Sequence, residues 1–244
     1  MKFLNGSFEA NIIYKAAVKE EKEWRRDASA CDIAIMDQLL KQVRKLGYDY
    51  RYFADITNRE NADKEFLELL LEYIGRFQDN YFSSAIVDVV GKNGNISATN
   101  VILNDYMKLS DDNKCEYAAY YDNALSRIKD KRYLSDYMEL LKVPEDAIKL
   151  PLTMIMLGKW NLEQAKTHFL EYLDADILYR NEKISDLIYI SLEALSYYKD
   201  TDGIIMSAFE KKLNTGDKDL LRAVQKAIKR LKKRNTNTGD GSVC

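Results

Sequence analysis

The chain has 244 residues, a net charge of −2 and 31% charged residues, which fits one elongated domain or two small ones. This balance of charge excludes a surface that is basic throughout, as non-specific nucleic-acid or membrane binding would require. Two prolines and ten glycines are few for this length and suit helices joined by short turns.

The cysteines and the hydropathy pattern give further limits. Cys31, Cys115 and Cys244 are odd in number, far apart and without a C-x-x-C pair. They indicate neither a disulfide framework nor a zinc site, and we expect no cofactor or metal. The N-terminus lacks an unbroken apolar segment, and no run approaches the roughly 20 apolar residues of a membrane span. We therefore expect a cytoplasmic protein.

The first third of the chain predicts successive helices. After a lead-in over residues 1–7, the predicted helices run over residues 8–26, 29–46, 61–77 and 81–90. Gly47 ends the second helix. The segment YDYRYF at 48–53 predicts a turn or a short helix packed by aromatic rings. The segment GKNGN at 91–95 predicts a turn.

The middle of the chain continues the pattern. Helices are predicted over residues 96–109, 111–128 and 133–141. Pro144 starts another helix, and Pro151 either kinks that helix or starts a new one. Asn161 is expected to cap a helix whose buried side includes Phe169 and Leu173.

The stretch from Ile184 to Arg234 contains three amphipathic helices. Their apolar residues recur at spacings of three, four and seven, the period of a helix. Asp200 and Asp217 supply N-terminal caps, and Gly216 is suited to a left-handed turn. No helix of this length can bury its apolar side alone, so each must pack on its neighbours.

This stretch resembles HEAT-type repeats, which pair two antiparallel helices. The repeat has a small residue three places before an Ala-Leu pair and an Asp that closes the turn. The matching residues here are Ser191, Ala194-Leu195 and Asp200. The pattern begins again with Val224 and Ala227-Ile228. Thr201 replaces the usual proline. The pattern of Ser191, Leu195 and Asp200 has a counterpart 121 residues earlier, at Leu70, Ile74 and Asp79. This offset is about three repeats of 40 residues. The resemblance implies an all-α fold, an α-α superhelix (HEAT-like solenoid) of antiparallel helix pairs. We expect a single repeat domain over 1–234, with a disordered tail over 235–244.

Several motifs could in principle carry a catalytic or metal-binding function, but each has a simpler structural interpretation. His168 is the only histidine, which excludes sites that need two. Glu65, Glu68 and Glu72 lie on one helix face. Such a row of acidic residues is typical of a face that is exposed to solvent. Asp111-Asp112 after Ser110 resembles half of a diphosphate-binding motif and equally fits a helix cap. GKNGN lacks the spacing of a phosphate-binding loop. No catalytic residue is assigned.

Two features indicate binding. The last helix carries a cationic ridge with spacings of four, four, three and four, which suits an anionic partner or, alternatively, the polar outer face of a terminal repeat. Seventeen tyrosines suit either an interface or the grooves between helices. The candidate anion- or partner-binding residues are Lys218, Arg222, Lys226, Lys229 and Lys233. The aromatic interface candidates are Tyr48, Tyr50, Tyr52, Tyr117, Tyr120, Tyr121 and Trp160.

The function predicted first is a non-enzymatic protein-binding or scaffold protein with a concave, tyrosine-containing surface, because HEAT arrays present such surfaces. Another protein is the expected partner. One alternative is a nucleic-acid enzyme resembling HEAT-like alkylpurine DNA glycosylases, with Trp160 and either Glu163 or Asp174 at the lesion. Another alternative is an adaptor that binds anionic membrane surfaces through residues 218–234.

Overall fold

The structure is a computed structural model that describes residues 8–57, 62–174, 178–179, 182–183 and 185–236. The fold is all-α, as the periodicity predicts. The chain divides into two compact units at Ile128 and Lys129, and each unit is described by itself below. The HEAT-like superhelix and the single domain over residues 1–234 stay predictions.

The first unit is built from seven described α-helices and one 3₁₀ turn. These are α1 (Phe8–Asp27), α2 (Ala30–Lys45), α3 (Phe53–Thr57), α4 (Lys64–Leu71), α5 (Asn80–Lys92), the 3₁₀ turn Ile96–Ala98, α6 (Thr99–Lys108) and α7 (Asp111–Ile128). The helix predicted over 111–128 is confirmed at both ends. The helix predicted over 61–77 is shorter, since α4 ends at Leu71 and Gly75 takes a φ of 75°. The residues 1–7 and Asn61 lie outside the described residues.

Side-chain caps set several helix starts in this unit. Ser29 accepts a hydrogen bond from the backbone N–H of Asp32 at the start of α2, and Asp63 accepts from Phe66 at the start of α4. Asp79 accepts from Tyr81 at the start of α5. Each side chain satisfies a donor that the helix itself leaves unpaired.

The core of this unit lies along α5 and α7, its most extensive helix pair. Ile86, Val90 and Leu125 are completely buried there. Gly91 was predicted to lie in a turn, and this is wrong: it belongs to α5 and packs against Ala124 of α7. The turn comes two residues later, where Asn93 caps the helix and Gly94 takes a φ of 63°.

The second unit contains seven α-helices among its described residues. These are α8 (Leu134–Lys142), α9 (Pro144–Lys149), α10 (Pro151–Lys159), α11 (Glu163–Asp174), α12 (Ser185–Leu195), α13 (Ile204–Lys211) and α14 (Lys218–Thr236). Two 3₁₀ turns cover Lys131–Tyr133 and Lys212–Asn214. A small antiparallel ladder pairs β1 (Leu178–Tyr179) with β2 (Glu182–Lys183), with Leu178 opposite Lys183. Pro144 and Pro151 each start a helix, so Pro151 does not kink a longer one.

Helix α12 is central to this unit, because it packs against α10, α11 and α14. Leu195 and Tyr198 at its C-terminal end are completely buried. The Tyr198 hydroxyl donates to the carbonyl oxygen of Leu162 over 2.8 Å and so joins the end of α12 to the start of α11. Ile184, the first residue of the predicted apolar side, lies outside the described residues.

Two expected turn residues play different roles. Asn161 has a φ of 57°, and its side-chain oxygen accepts from the N–H of Lys199 rather than capping α11. The left-handed glycine of the last three helices is Gly203, with a φ of 74°, and not Gly216. The predicted cap at Asp217 is confirmed, since its carboxylate accepts from the N–H groups of Asp219 and Leu220. Of the predicted tail, Asn235 and Thr236 belong to α14, and residues 237–244 lie outside the described residues.

Candidate functional site

Helix α14 separates apolar from cationic residues along its whole length. Val224, Ala227 and Leu231 are buried at spacings of three and four against the rest of the second unit. The cationic residues therefore lie on the remaining sides of the helix. All five residues of the predicted ridge are exposed.

The ridge has few acidic partners. Of its five residues, only Arg222 forms an ion pair within the described part of the chain, with Asp219 over 3.2 Å. Both side chains of that pair are largely exposed, so the pair contributes little to stability. Lys226, Lys229 and Lys233 present their ammonium groups to solvent.

The positive charge is greatest in the second half of α14. Asp217 and Asp219 lie at its start, beside Lys218 and Arg222. Burial raises the pKa of nearby Tyr189, and the negative charges of Asp217, Asp219 and Asp186 raise it further. These acids offset the cations of the first turns, which leaves residues 226–234 as the strongly positive part.

A cluster around Tyr197 adds cations that the sequence analysis did not single out. The Nζ of Lys159 lies 5.0 Å from the centre of the Tyr197 ring, and the guanidinium carbons of Arg234 and Arg230 lie 5.0 and 5.9 Å from it. Cations at these distances are attracted to the negative face of an aromatic ring. Arg234 also donates to the carbonyl oxygen of Tyr197, at the C-terminal end of α12, where a cation complements the helix dipole.

Glu193 is the acidic member of this cluster. It pairs with Arg230 and accepts a hydrogen bond of 3.1 Å from the Tyr197 hydroxyl. Burial by itself would raise the pKa of Glu193, but the Arg230 guanidinium outweighs this and holds the pKa below its usual value. Arg230 is thus partly neutralised, whereas Lys233 and Arg234 are not paired with an acid among the described residues.

Part of this cluster lines an open cleft of about 290 Å³. The lining residues are Ser196, Tyr197, Arg230, Lys233 and Arg234. We call Lys226, Lys229, Arg230, Lys233 and Arg234 the α14 basic surface. Its ammonium and guanidinium groups are donors without acceptor capacity, so they suit carboxylate or phosphate oxygens. The spacing of four between Arg230 and Arg234 is the sequence signal that identifies them as neighbours on one helix face.

The tyrosine candidates of the first unit are divided between core and surface. Tyr121 is completely buried and donates to Asp105 over 2.6 Å, so it belongs to the core. Tyr48 and Tyr50 are half-buried and pack edge-on against Phe66 of α4. Tyr52 is half-buried beneath Lys22.

The remaining aromatic candidates are half-buried. Burial and the adjacent Glu116 raise the pKa of Tyr117 to about 12, and Tyr120 lies close enough to influence Tyr81 electrostatically. Trp160 in the second unit packs edge-on against Tyr137, with the Lys131 Nζ 5.4 Å from its ring centre.

The residues suggested for a glycosylase lie near the two ends of α11. Trp160 follows the last residue of α10, Glu163 is the first residue of α11, and Asp174 is the last, about 16 Å from Glu163 at 1.5 Å per residue. Glu163 pairs with Lys166, and Asp174 pairs with Lys212. Asp174 is therefore distant from Trp160, whereas Glu163 is a near neighbour of Trp160 in the chain, and the glycosylase alternative stays a prediction.

Other motifs occupy structural positions. His168 interacts with Glu171 one turn along the same helix. Glu65, Glu68 and Glu72 are exposed. Within the described residues, no group of three His, Cys, Asp or Glu side chains converges as a metal site requires. No helix within the described ranges is long and apolar enough to cross a bilayer.

Comparisons with protein-family models, with curated proteins and with solved structures find no match to this chain.

Proposed function

We propose that this chain is a non-enzymatic binding protein, and that its α14 basic surface binds an acidic segment of another protein. The observation that supports this proposal is the exposure of Lys226, Lys229 and Lys233, none of which forms an ion pair at contact distance among the described residues. Glu193, the acid on which the charge of Lys226 acts, is already paired with Arg230. A helix that needed these residues only for solubility would serve equally well with mixed charges. The broader prediction of a HEAT-like scaffold with a concave tyrosine surface is compatible with this role.

The charge distribution favours a protein partner over a nucleic acid. Residues 218–234 contain eight Lys or Arg and one Asp, so the remainder of the chain carries a net charge of −9. Non-specific binding of duplex nucleic acid depends on neutralising many phosphates over a long distance, which a chain with so little basic surface outside residues 218–234 does not favour. A short acidic peptide needs contact only with the strongly positive residues 226–234. Glu193 and Tyr197 beside this surface can also accept hydrogen bonds from the amide groups of a peptide.

The proposal is tested with a fluorescently labelled oligoglutamate peptide, whose anisotropy reports binding. We compare the natural chain with the triple variant Lys226→Glu, Lys229→Glu and Lys233→Glu. The matched control replaces the exposed Lys15, Lys41 and Lys64 of the first unit by Glu, which changes the net charge equally. We expect the α14 variant to bind at least about tenfold more weakly, since three favourable contacts become repulsive. The control variant should retain most of the affinity.

The same assay with duplex DNA of matched charge and with phosphatidylserine vesicles separates the other partners. Tighter binding of DNA that is lost in the α14 variant would replace this proposal with nucleic-acid binding. Tighter binding of vesicles would replace it with a membrane adaptor. Equal loss of peptide affinity in both triple variants would show that only net charge matters and would refute the assignment to α14.

A further inference from the structure

The first unit contains a pocket that is separate from α14. It lies where α1, α3 and α5 meet and has a volume of about 110 Å³. The lining residues that matter for its chemistry are Glu20, Glu21, Trp24, Phe53, Tyr81 and Phe82. The lining thus combines four aromatic rings with two carboxylates.

The aromatic rings form one packed group around Phe82. The ring centres of Trp24, Phe53 and Tyr81 lie 4.4, 5.0 and 5.2 Å from that of Phe82. The planes of Phe53 and Tyr81 are each inclined at 78° to that of Phe82. The rings therefore have different orientations, and the face of each aromatic ring carries partial negative charge.

The carboxylate of Glu21 is held in the wall of the pocket. Its side chain is almost completely buried, with one oxygen accepting from the N–H of Phe53 over 2.7 Å and the other from Arg25 over 3.3 Å. Glu20 lies beside it and is exposed at the rim. The indole N–H of Trp24 donates to Asp79 over 3.1 Å, which fixes the orientation of that ring and places a third carboxylate close by.

The surroundings of the pocket carry net negative charge. Arg25 is the cation in contact with Glu21, but it also pairs with Asp37 over 2.9 Å, so two acids share its charge. Burial raises the pKa of Tyr81, and the neighbouring Tyr120, Glu20, Asp79 and Glu21 raise it further. The negative charges of Glu20, Glu21 and Asp79 therefore make the electrostatic potential in the pocket more negative.

We propose that this pocket binds the head group of an organic cation of the alkylammonium class, with trimethylammonium as its best representative. Such a group is apolar enough to pack on Trp24 and Phe82 and is attracted by their faces and by Glu20 and Glu21. The volume of about 110 Å³ limits the ligand to one compact group, and the exposed Glu20 at the rim leaves room for the chain attached to it. This proposal is independent of the function proposed for α14.

The test compares choline with 3,3-dimethyl-1-butanol, which has the same shape and no charge. Trp24 fluorescence reports binding in the background Trp160→Phe, which removes the other tryptophan. We expect choline to bind at least about tenfold more tightly than the neutral alcohol, because only choline gains the interaction with the rings and carboxylates. Equal binding of the two compounds would refute a cation site, and so would the absence of choline binding.

Four variants assign the binding to this pocket. Glu20→Gln and Tyr81→Leu change exposed side chains, and each should weaken choline binding several-fold. Tyr81→Phe keeps the ring and should retain binding, and Glu65→Gln on α4 is the matched control for lost charge. Circular dichroism melts confirm that each variant is folded. Unchanged affinity in both Glu20→Gln and Tyr81→Leu would place the cation elsewhere and overturn the proposal.

One further comparison identifies the source of the head group. A peptide that contains trimethyllysine is measured beside free choline and beside the same peptide with unmodified lysine. Preference for the modified peptide over choline would assign the pocket to a methylated protein side chain. Preference for choline would assign it to a small molecule. Tighter binding of the unmodified peptide would contradict the alkylammonium assignment.

Discussion

Gly91 of α5 lies against Ala124 of α7 so closely that a Cβ atom on residue 91 would come within 2.4 Å of both the Cα and the Cβ of Ala124. The second unit repeats this arrangement, since a Cβ atom on Gly158 of α10 would lie 2.5 Å from the carbonyl oxygen of Ala194 in α12. In both units a glycine allows the backbones of two helices to approach each other.

We expect Gly91→Ala to destabilise the first unit. The added methyl group meets the backbone of α7, which moves less easily than the end of a side chain, so overpacking should cost about 1–3 kcal/mol. Because the contact at 2.4 Å involves backbone, we expect the upper part of this range, which exceeds the gain in helix propensity of about 1 kcal/mol. Urea denaturation followed by circular dichroism measures the change. Gly216→Ala is the control, because nothing lies within 4 Å of its added Cβ atom. Equal stability of Gly91→Ala and the natural chain would contradict the close approach.

We expect Asp200 to stabilise the start of α13. Its buried carboxylate accepts hydrogen bonds from the N–H groups of Ile205 and Met206, over 3.1 and 2.8 Å. Asp200→Ala should lower the free energy of unfolding by about 1–2 kcal/mol, the usual cost of losing a helix cap. Asp200→Asn retains one acceptor oxygen and should cost less. Glu210→Ala on the exposed side of the same helix is the control, and a loss as large as that of Asp200→Ala would argue against a capping role.

The buried Asp105 should make the first unit less stable as pH rises. Burial raises the pKa of Asp105, although the hydrogen bond from Tyr121 and the charge of Lys108 oppose the effect. The folded state therefore binds more protons than the unfolded chain, and the free energy of unfolding falls between the ordinary aspartate pKa of about 3.9 and the raised value. Asp105→Asn should gain stability relative to the natural chain between about pH 4 and about pH 7.

Urea midpoints measured over this range test the prediction for Asp105. The exposed variant Glu65→Gln serves as the control and should follow the natural chain at every pH. A difference between Asp105→Asn and the natural chain that stayed constant over the range would show that burial of this carboxyl has no effect on the pH dependence.

The pair of Glu193 and Arg230 should contribute modestly to the second unit. Its side chains are 30% and 37% exposed, so solvent screens the attraction, and we expect a coupling energy of about 0.5–1 kcal/mol. A double-mutant cycle with Glu193→Gln and Arg230→Gln measures this coupling. Because the pKa of Glu193 is lowered in the folded state, the contribution is present above the unfolded pKa and is lost as pH falls through the folded value. Coupling that persisted in strong acid would contradict an ionic origin.

The periodicity of the sequence was sufficient to predict most helices of this protein. The apolar spacing along α7 predicted its ends at Asp111 and Ile128, and the polar residue before the last helix predicted the cap at Asp217. These features depend on residues within a few positions of each other, and such contacts follow directly from helical geometry. The exposed ridge of α14 was predicted for the same reason, because one helix face is defined by spacing alone.

The tertiary structure decided which distant residues meet. Local spacing made GKNGN resemble a turn, but Gly91 lies inside α5, where the close approach of Ala124 in α7 leaves no room for a side chain. The cations around Tyr197 come from α10 and α14, and the aromatic pocket joins Trp24 to Phe53 and Phe82 from three helices. Such contacts depend on how helices pack rather than on where each helix begins, and no pattern within a single helix specifies its neighbour.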